Sequence, residues 1–138
     1  MRIGSDSNVS VSPIEELRTL EYSQRFVHRR RAILAPAGGS VGAHLYAAAA
    51  TGGGNALGLR SGKIQAGYRA DLVVIDNQTP VLINKPGDTL LDAMVFAGNS
   101  NPVSDVLVAG KWIVRDGHHP REEPVFEAFK QVQNEVWS

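Results

Sequence analysis

The feature that most constrains this chain is a short, uninterrupted apolar run from Leu72 to Ile75, with an aspartate on each side. Successive residues of a strand point to opposite faces, so four apolar residues in a row make both faces apolar. A strand of this kind needs a covering layer on each side. We therefore predict a buried strand within residues 70–76.

The rest of the sequence offers few further strands. Residues 105–117 contain two apolar stretches separated by a short turn, which predicts a β-hairpin with Ala109-Gly110 or Gly110-Lys111 in the turn. No βαβ unit repeats, which argues against a self-contained α/β fold. So small a set of apolar strands needs another sheet or a helix layer to cover it.

Helical patterns occupy the first part of the chain. Ser12 and Pro13 suit the cap and the first position of a helix, and the apolar spacing that follows predicts helix from about residue 13 to about residue 34. Ser40 is expected to cap a second helix, which the glycines at 52–54 should end.

The remaining segments are less uniform. Residues 55–59 could add a short turn of helix, and residues 90–96 fit either a short helix or a strand. Residues 120–124 read as a polar break before a short final helix. The aromatic residues near the end of the chain are expected to lie in or over a core, namely Trp112, Phe126, Phe129 and Trp137.

Composition excludes several classes of protein. Of the 138 residues, 43% are hydrophobic and 20% charged, which favours a packed core over disorder. Fourteen basic residues balance fourteen acidic ones, so neither nucleic acid nor a membrane surface is an expected partner. The absence of cysteine excludes disulfides and thiolate metal sites and fits a cytoplasmic location. No signal peptide or membrane-spanning run is apparent.

Two segments carry a family resemblance. Residues 62–76, GKIQAGYRADLVVID, and the hairpin 106–114, VLVAGKWIV, resemble the C-terminal sheet of amidohydrolase-superfamily enzymes. The front of the chain is more specific: residues 4–12, GSDSNVSVS, followed by residues 15–25, EELRTLEYSQR, are similar to the formimidoylglutamate deiminase family. The Asn-Asn pair and Met-rich helix of related chlorohydrolases and guanine-type deaminases are absent.

This resemblance implies an α+β fold made from the end of an amidohydrolase. Residues 1–59 would be the last strand end and helices of a (β/α)8 barrel, residues 60–120 a small β-sandwich portion, and residues 121–138 a C-terminal helix. Since the chain opens on a turn after an incomplete strand, we expect it to begin inside a larger fold. The implied reaction converts formiminoglutamate to formylglutamate and ammonia, a step of histidine degradation, with a divalent metal, usually zinc, as cofactor.

Asp6 is the candidate catalytic and metal-binding residue. By the resemblance it matches the aspartate at the end of the eighth barrel strand, where a carboxylate can bind the metal and also move a proton. Ser5 and Ser7 could orient it. A catalytic zinc site takes about three protein ligands, yet the chain has no His-x-His and no histidine before His28. We therefore expect no metal to be bound by this chain alone.

Three hypotheses follow for the partner and the function. In the first, the chain is part of a deiminase and pairs with the missing N-terminal barrel portion or with itself, and the small-molecule substrate belongs to the whole enzyme. In the second, it is a non-catalytic module that dimerises or binds a partner. In the third, it is a small hydrolase in which Asp6 acts with His44 or with the pair His118 and His119. The basic run 29–31 is expected to be a solvated helix end.

Overall fold

The computed structural model describes residues 1–7 and 10–138, so Asn8 and Val9 of the front segment lie outside the described residues. Two compact units are formed, one from residues 1–69 and 76–102, the other from residues 70–75 and 103–138. The elements in chain order are α1 (Pro13–His28), α2 (Val41–Ala56), β1 (Leu72–Ile75), α3 (Asp88–Phe96), β2 (Val103–Val108), β3 (Lys111–Val114) and α4 (Glu122–Val136). Helices α1 to α3 belong to the first unit; the sheet and α4 belong to the second.

Helix α1 begins where the sequence predicts and ends earlier. The Ser12 hydroxyl accepts a hydrogen bond from the backbone N–H of Glu15 at 3.3 Å, which confirms it as the cap. The predicted end near residue 34 is wrong, because Arg29 adopts a left-handed conformation with φ of 50° and stops the helix at His28. Residues 29–31 are exposed beyond this helix end, as expected.

The segment after α1 is held by a buried carboxylate. Glu21 is fully buried on α1, and its oxygens accept hydrogen bonds from the backbone N–H groups of Ile33 at 3.1 Å and Leu34 at 3.0 Å. The Arg25 Nε donates to the same carboxylate at 2.7 Å. Burial raises the pKa of Glu21, but the hydrogen bonds from Arg25, Leu34 and Ile33 outweigh burial and hold the pKa below its ordinary value.

The core of the first unit lies where its three helices meet. Leu17 of α1, Val41 and Leu45 of α2, and Val95 of α3 are buried together. This arrangement gives each amphipathic helix a partner for its apolar face. The partly buried side chains packed against this cluster are Ile3, Leu20, Leu34, Ala35, Tyr46, Ala49 and Phe96.

Arg18 joins α1 to the end of α3. Its Nε donates to the carbonyl of Val95 at 2.6 Å, its Nη2 donates to the carbonyl of Gly98, and its Nη1 donates to Asn99 Oδ1 at 3.1 Å. The last carbonyls of a helix lack partners within the helix, so these bonds satisfy them with a positive charge at the negative end of the dipole. The undecided segment 90–96 is therefore helical.

Helix α2 runs through the glycines that were expected to end it. It continues to Ala56 and includes Gly52, Gly53 and Gly54, so that prediction is wrong. Gly42 shows why glycine serves in this helix: a Cβ there would lie 2.5 Å from the carbonyl oxygen of Leu91 in α3. The backbone N–H of Gly42 also donates to Asp92 Oδ1 at 2.7 Å. Close approach of two backbones thus replaces side-chain packing.

The second unit contains a three-stranded antiparallel sheet in the order β1-β2-β3. Leu72 pairs with Leu107, and Leu107 pairs with Trp112, so these three share one face. The hairpin turn uses Ala109 and Gly110 at φ of 49° and 79°, and the N–H of Ala109 donates to Asp71 Oδ1 at 2.8 Å. The predicted strand and hairpin are confirmed, but the predicted burial of the strand is wrong, because Val73 and Val74 are exposed.

The sheet lacks a buried core of its own. The other face carries Val73, Val106 and Val114, so both faces are apolar. Val73 is 43% exposed and Trp112 is 49% exposed, and no residue described in this unit is buried. The small sheet and the helices of the predicted α+β fold are therefore present; the barrel strand and the sandwich stay predictions.

Helix α4 has an open apolar face. It begins at Glu122 and includes Pro124, so the predicted polar break is shorter than expected. In the described chain it contacts no strand of its own unit. Phe126, Phe129 and Trp137 are more than half exposed and do not occupy the core expected for them. None of the described helices is both long enough and apolar enough to cross a membrane.

Replacement of Glu21 should show how much the buried carboxylate stabilises the first unit. Because its pKa is lower in the folded chain than in the unfolded chain, its charged form stabilises the fold at neutral pH, and this contribution is lost as pH falls through the folded-state pKa. We expect Glu21→Gln to lower the free energy of unfolding by about 2 kcal/mol at neutral pH and by less at about pH 3. Urea denaturation at both pH values measures this, with exposed Glu135→Gln as control.

Two glycines of α2 give a matched test of close packing. A Cβ at Gly42 would collide with the α3 backbone, whereas a Cβ at Gly53 meets nothing within 4 Å. We expect Gly42→Ala to destabilise the chain by about 1–3 kcal/mol and Gly53→Ala to stabilise it by about 0.5–1 kcal/mol. Equal effects of the two substitutions in thermal denaturation would contradict this account of α2.

Candidate functional site

Asp6 lies in an exposed turn that precedes α1. Its φ of 53° is left-handed, a conformation that aspartate tolerates better than most residues. Within residues 1–7 and 10–138 its carboxylate takes part in no hydrogen bond or ion pair that would occupy it. The turn therefore presents a carboxylate that is open to a ligand or a proton.

The chain on the N-terminal side of Asp6 is anchored on the first unit. Ile3 packs against the core of α1, α2 and α3. A Cβ at Gly52 would lie only 1.5 Å from the carbonyl oxygen of Met1, so only glycine lets this segment approach α2 so closely. Sequence reasoning took Gly52 for a helix end and missed this role. A glycine inside a helical pattern costs about 1 kcal/mol relative to alanine, so its presence there is a signal of a packing role.

The chain on the C-terminal side of Asp6 is anchored at the start of α1. Ser10 donates a hydrogen bond to the Glu15 carboxylate, and Ser12 caps the helix. Asp6 thus sits a few residues from fixed backbone on both sides. Ser5 is half-buried and engaged elsewhere, whereas Ser7 is exposed. Their role in orienting Asp6 stays a prediction.

The described side chains do not assemble a metal site. No group of three histidine, aspartate or glutamate residues able to hold a cation occurs in the described part of the chain. A catalytic zinc ion takes about three protein ligands, so this donor set does not fit one. Asp6 could supply a single ligand.

The histidines join Asp6 in no group of three possible metal ligands within the described residues. His28 and His44 are exposed on α1 and α2, and neither belongs to a ligand cluster in the ranges described. His118 Nδ1 is 2.6 Å from Glu122 Oε1, and this hydrogen bond raises the pKa of His118 and lowers that of Glu122. His119 caps the same turn, because the backbone N–H of Arg121 donates to its Nδ1 at 3.1 Å. The structure thus gives the pair a local role at the start of α4.

Comparison with known proteins places these features in a family. The sequence profile of the amidohydrolase family matches residues 1–113. A formimidoylglutamate deiminase of Pseudomonas aeruginosa is 48% identical over 135 residues, which is 97% of this chain and 30% of that protein. This chain therefore spans about 30% of the length of that relative.

Solved structures of two proteins are also similar to this chain. An amidohydrolase from Brucella melitensis superposes with a TM-score of 0.87 at 40% identity, covering 99% of this chain and 30% of that one. An adenosine deaminase from Xanthomonas campestris with bound zinc superposes with a TM-score of 0.77 at 26% identity, covering 96% of this chain and 29% of that one. On the matched profile and the extent of these similarities, this chain belongs to the amidohydrolase family.

Proposed function

We propose that this chain supplies the Asp6 carboxylate to the active site of a formimidoylglutamate deiminase, whose other active-site groups come from the part of the enzyme outside these residues. The observation that carries the proposal is the open carboxylate of Asp6, held in a turn between an anchored segment and α1. The 48% identity to a formimidoylglutamate deiminase supports N-formimino-L-glutamate as the substrate over the substrates of other deaminases.

The proposed reaction hydrolyses a carbon–nitrogen bond of an amidine. The oxygen of a water molecule adds to the formimino carbon of N-formimino-L-glutamate, the bond from that carbon to its terminal nitrogen breaks, and the products are N-formyl-L-glutamate and ammonia. Asp6 accepts a proton from the attacking water and delivers it to the terminal nitrogen; it then moves the second water proton from the hydroxyl of the tetrahedral intermediate to the same nitrogen, which leaves as ammonia. A single carboxylate can perform both transfers, because it is a base before the addition and an acid after it.

The open turn suits this proton transfer. Asp6 is exposed, so a substrate and a water molecule can reach its carboxylate. The chain is anchored before Asp6 by Ile3 and after it by the cap of α1, so Asp6 lies between two positioned segments. Positioning of this kind is a large part of what an active site contributes to rate.

We also propose that the complete enzyme uses a divalent metal, for which zinc is the first candidate. The support is the zinc bound by the Xanthomonas campestris adenosine deaminase. This chain superposes on 29% of that protein. Since the described residues offer one suitable carboxylate and no ligand cluster, the remaining ligands would come from outside this chain.

Metal analysis of the isolated chain tests the ligand deficit. We expect well below one zinc per chain after incubation with zinc and gel filtration, because one exposed carboxylate binds zinc weakly. Elemental analysis together with the protein concentration gives the ratio. A stoichiometric zinc ion that survives gel filtration in a monomer would contradict the proposal that the site is shared.

Substitution of Asp6 tests its role in turnover. The chain would be fused behind the part of the Pseudomonas aeruginosa relative that it does not match, and ammonia release from N-formimino-L-glutamate would be measured. We expect Asp6→Asn to lower kcat by at least about 100-fold, because the amide cannot carry the proton, with the fold unchanged in circular dichroism.

A matched control is available in the second unit. Asp116 is also exposed and left-handed, with φ of 51°, but lies in the turn after β3. Asp116→Asn should leave turnover near that of the unsubstituted fusion. If Asp6→Asn retained full activity in an active fusion, the proposed role of Asp6 would be wrong.

A further inference from the structure

The exposed apolar face of α4 has no role in the proposed function. Residues separated by three or four positions share a face of a helix, and α4 carries apolar side chains at such positions. Five of these apolar residues are 54–66% exposed, and we call them the α4 stripe: Val125, Phe126, Phe129, Val132 and Val136.

The opposite face of α4 is polar. Glu127 and Lys130 form an ion pair at 2.6 Å, and Gln131 and Asn134 are exposed beside them. An amphipathic helix of 15 residues is only marginally stable in water without a partner for its apolar face. The pattern therefore indicates a helix that is stabilised by packing against another protein surface.

We propose that the α4 stripe is the docking face for the part of an amidohydrolase that lies outside these 138 residues. This inference rests on the proposed function in one respect, that the chain acts together with that part. The support for this proposal is the length of similar proteins. Nearly all of this chain, α4 included, matches the Pseudomonas aeruginosa deiminase and the Brucella melitensis amidohydrolase, and the matched part makes up 30% of each. The surplus polypeptide is large enough to supply a complementary surface.

A second copy of this chain fits the stripe less well. A stable interface takes about 20–30 residues from each partner, whereas the stripe provides five. Glu122 lies three and four positions before Val125 and Phe126 and therefore beside the stripe, so two parallel α4 helices would also bring the Glu122 carboxylates of both copies near each other.

Other exposed apolar residues favour the same occupant. Phe26 on α1 is 81% exposed and Trp112 on β3 is 49% exposed, so apolar surface is open in both units. A symmetric contact between two copies through α4 would leave these residues in water. A longer polypeptide can cover separate surfaces at once, as large exposed apolar patches require.

The test co-expresses this full chain with the unmatched part of the Pseudomonas aeruginosa deiminase, each with its own tag. We expect the two to co-purify, and Phe129→Asp or Val132→Asp to lower the recovered partner by about tenfold or more. Gln131→Asp is the matched control, because it adds the same charge on the polar face, and it should leave recovery unchanged.

A second measurement covers the case in which the separate partner does not fold. In the single-chain fusion, Phe129→Asp should lower Tm by several degrees more than Gln131→Asp. Equal effects of these substitutions, or failure of a folded partner to bind the unsubstituted chain, would overturn the docking proposal. A dimer of the chain alone that Phe129→Asp dissociates would assign the stripe to self-association and overturn it as well.

The outcomes also separate this inference from the proposed function. Co-purification without turnover in the unsubstituted complex would leave the docking face standing and remove the deiminase assignment. If turnover and recovery of the partner both stay unchanged after substitutions in the α4 stripe, the docking proposal is removed and the deiminase assignment stands. Asp6→Asn should abolish turnover without changing recovery, because Asp6 is not part of the stripe.

Discussion

The carboxylate of Glu21 receives hydrogen bonds from Arg25 and from the backbone of Ile33 and Leu34 while being fully shielded from water. A buried charge is tolerated only when donors satisfy it, so the chain after α1 must fold back to this point. That return brings Leu34 against the core and leads the chain into α2. The helices that anchor the segment before Asp6 therefore depend on one ionised side chain.

The two units differ in how they are stabilised. The first has buried side chains from three helices and glycines that let backbones meet, as at Gly42 and α3. The second has complete strand pairing but apolar side chains on both sheet faces with none of them buried. Hydrogen bonding of a sheet contributes little net stability without apolar burial. Its strands are paired, and both of its apolar faces stay accessible to water within the described residues.

The sequence predicts those features that depend on local chemistry. The Ser12 cap, the strand β1 and a hairpin turn through Gly110 are each predicted from a few neighbouring residues and are present; of the two predicted turns, Ala109-Gly110 is the one formed. The errors lie where distant residues decide. After the end of α1, residues 33 and 34 bond to Glu21, and within α2 Gly52 lies against the backbone of Met1. Local propensity carries no information about such contacts.

The same distinction governs the candidate site. Asp6 was identified from its resemblance to a family motif, and the structure adds that its carboxylate is exposed in a left-handed turn between two anchored segments. Within the described residues, Asp6 belongs to no group of three side chains able to hold a metal ion. In the proposed function and the proposed docking, the open carboxylate of Asp6 and the exposed apolar face of α4 each act together with further amidohydrolase polypeptide. Under both proposals, the chemistry of Asp6 and the packing of α4 therefore depend on the same neighbour.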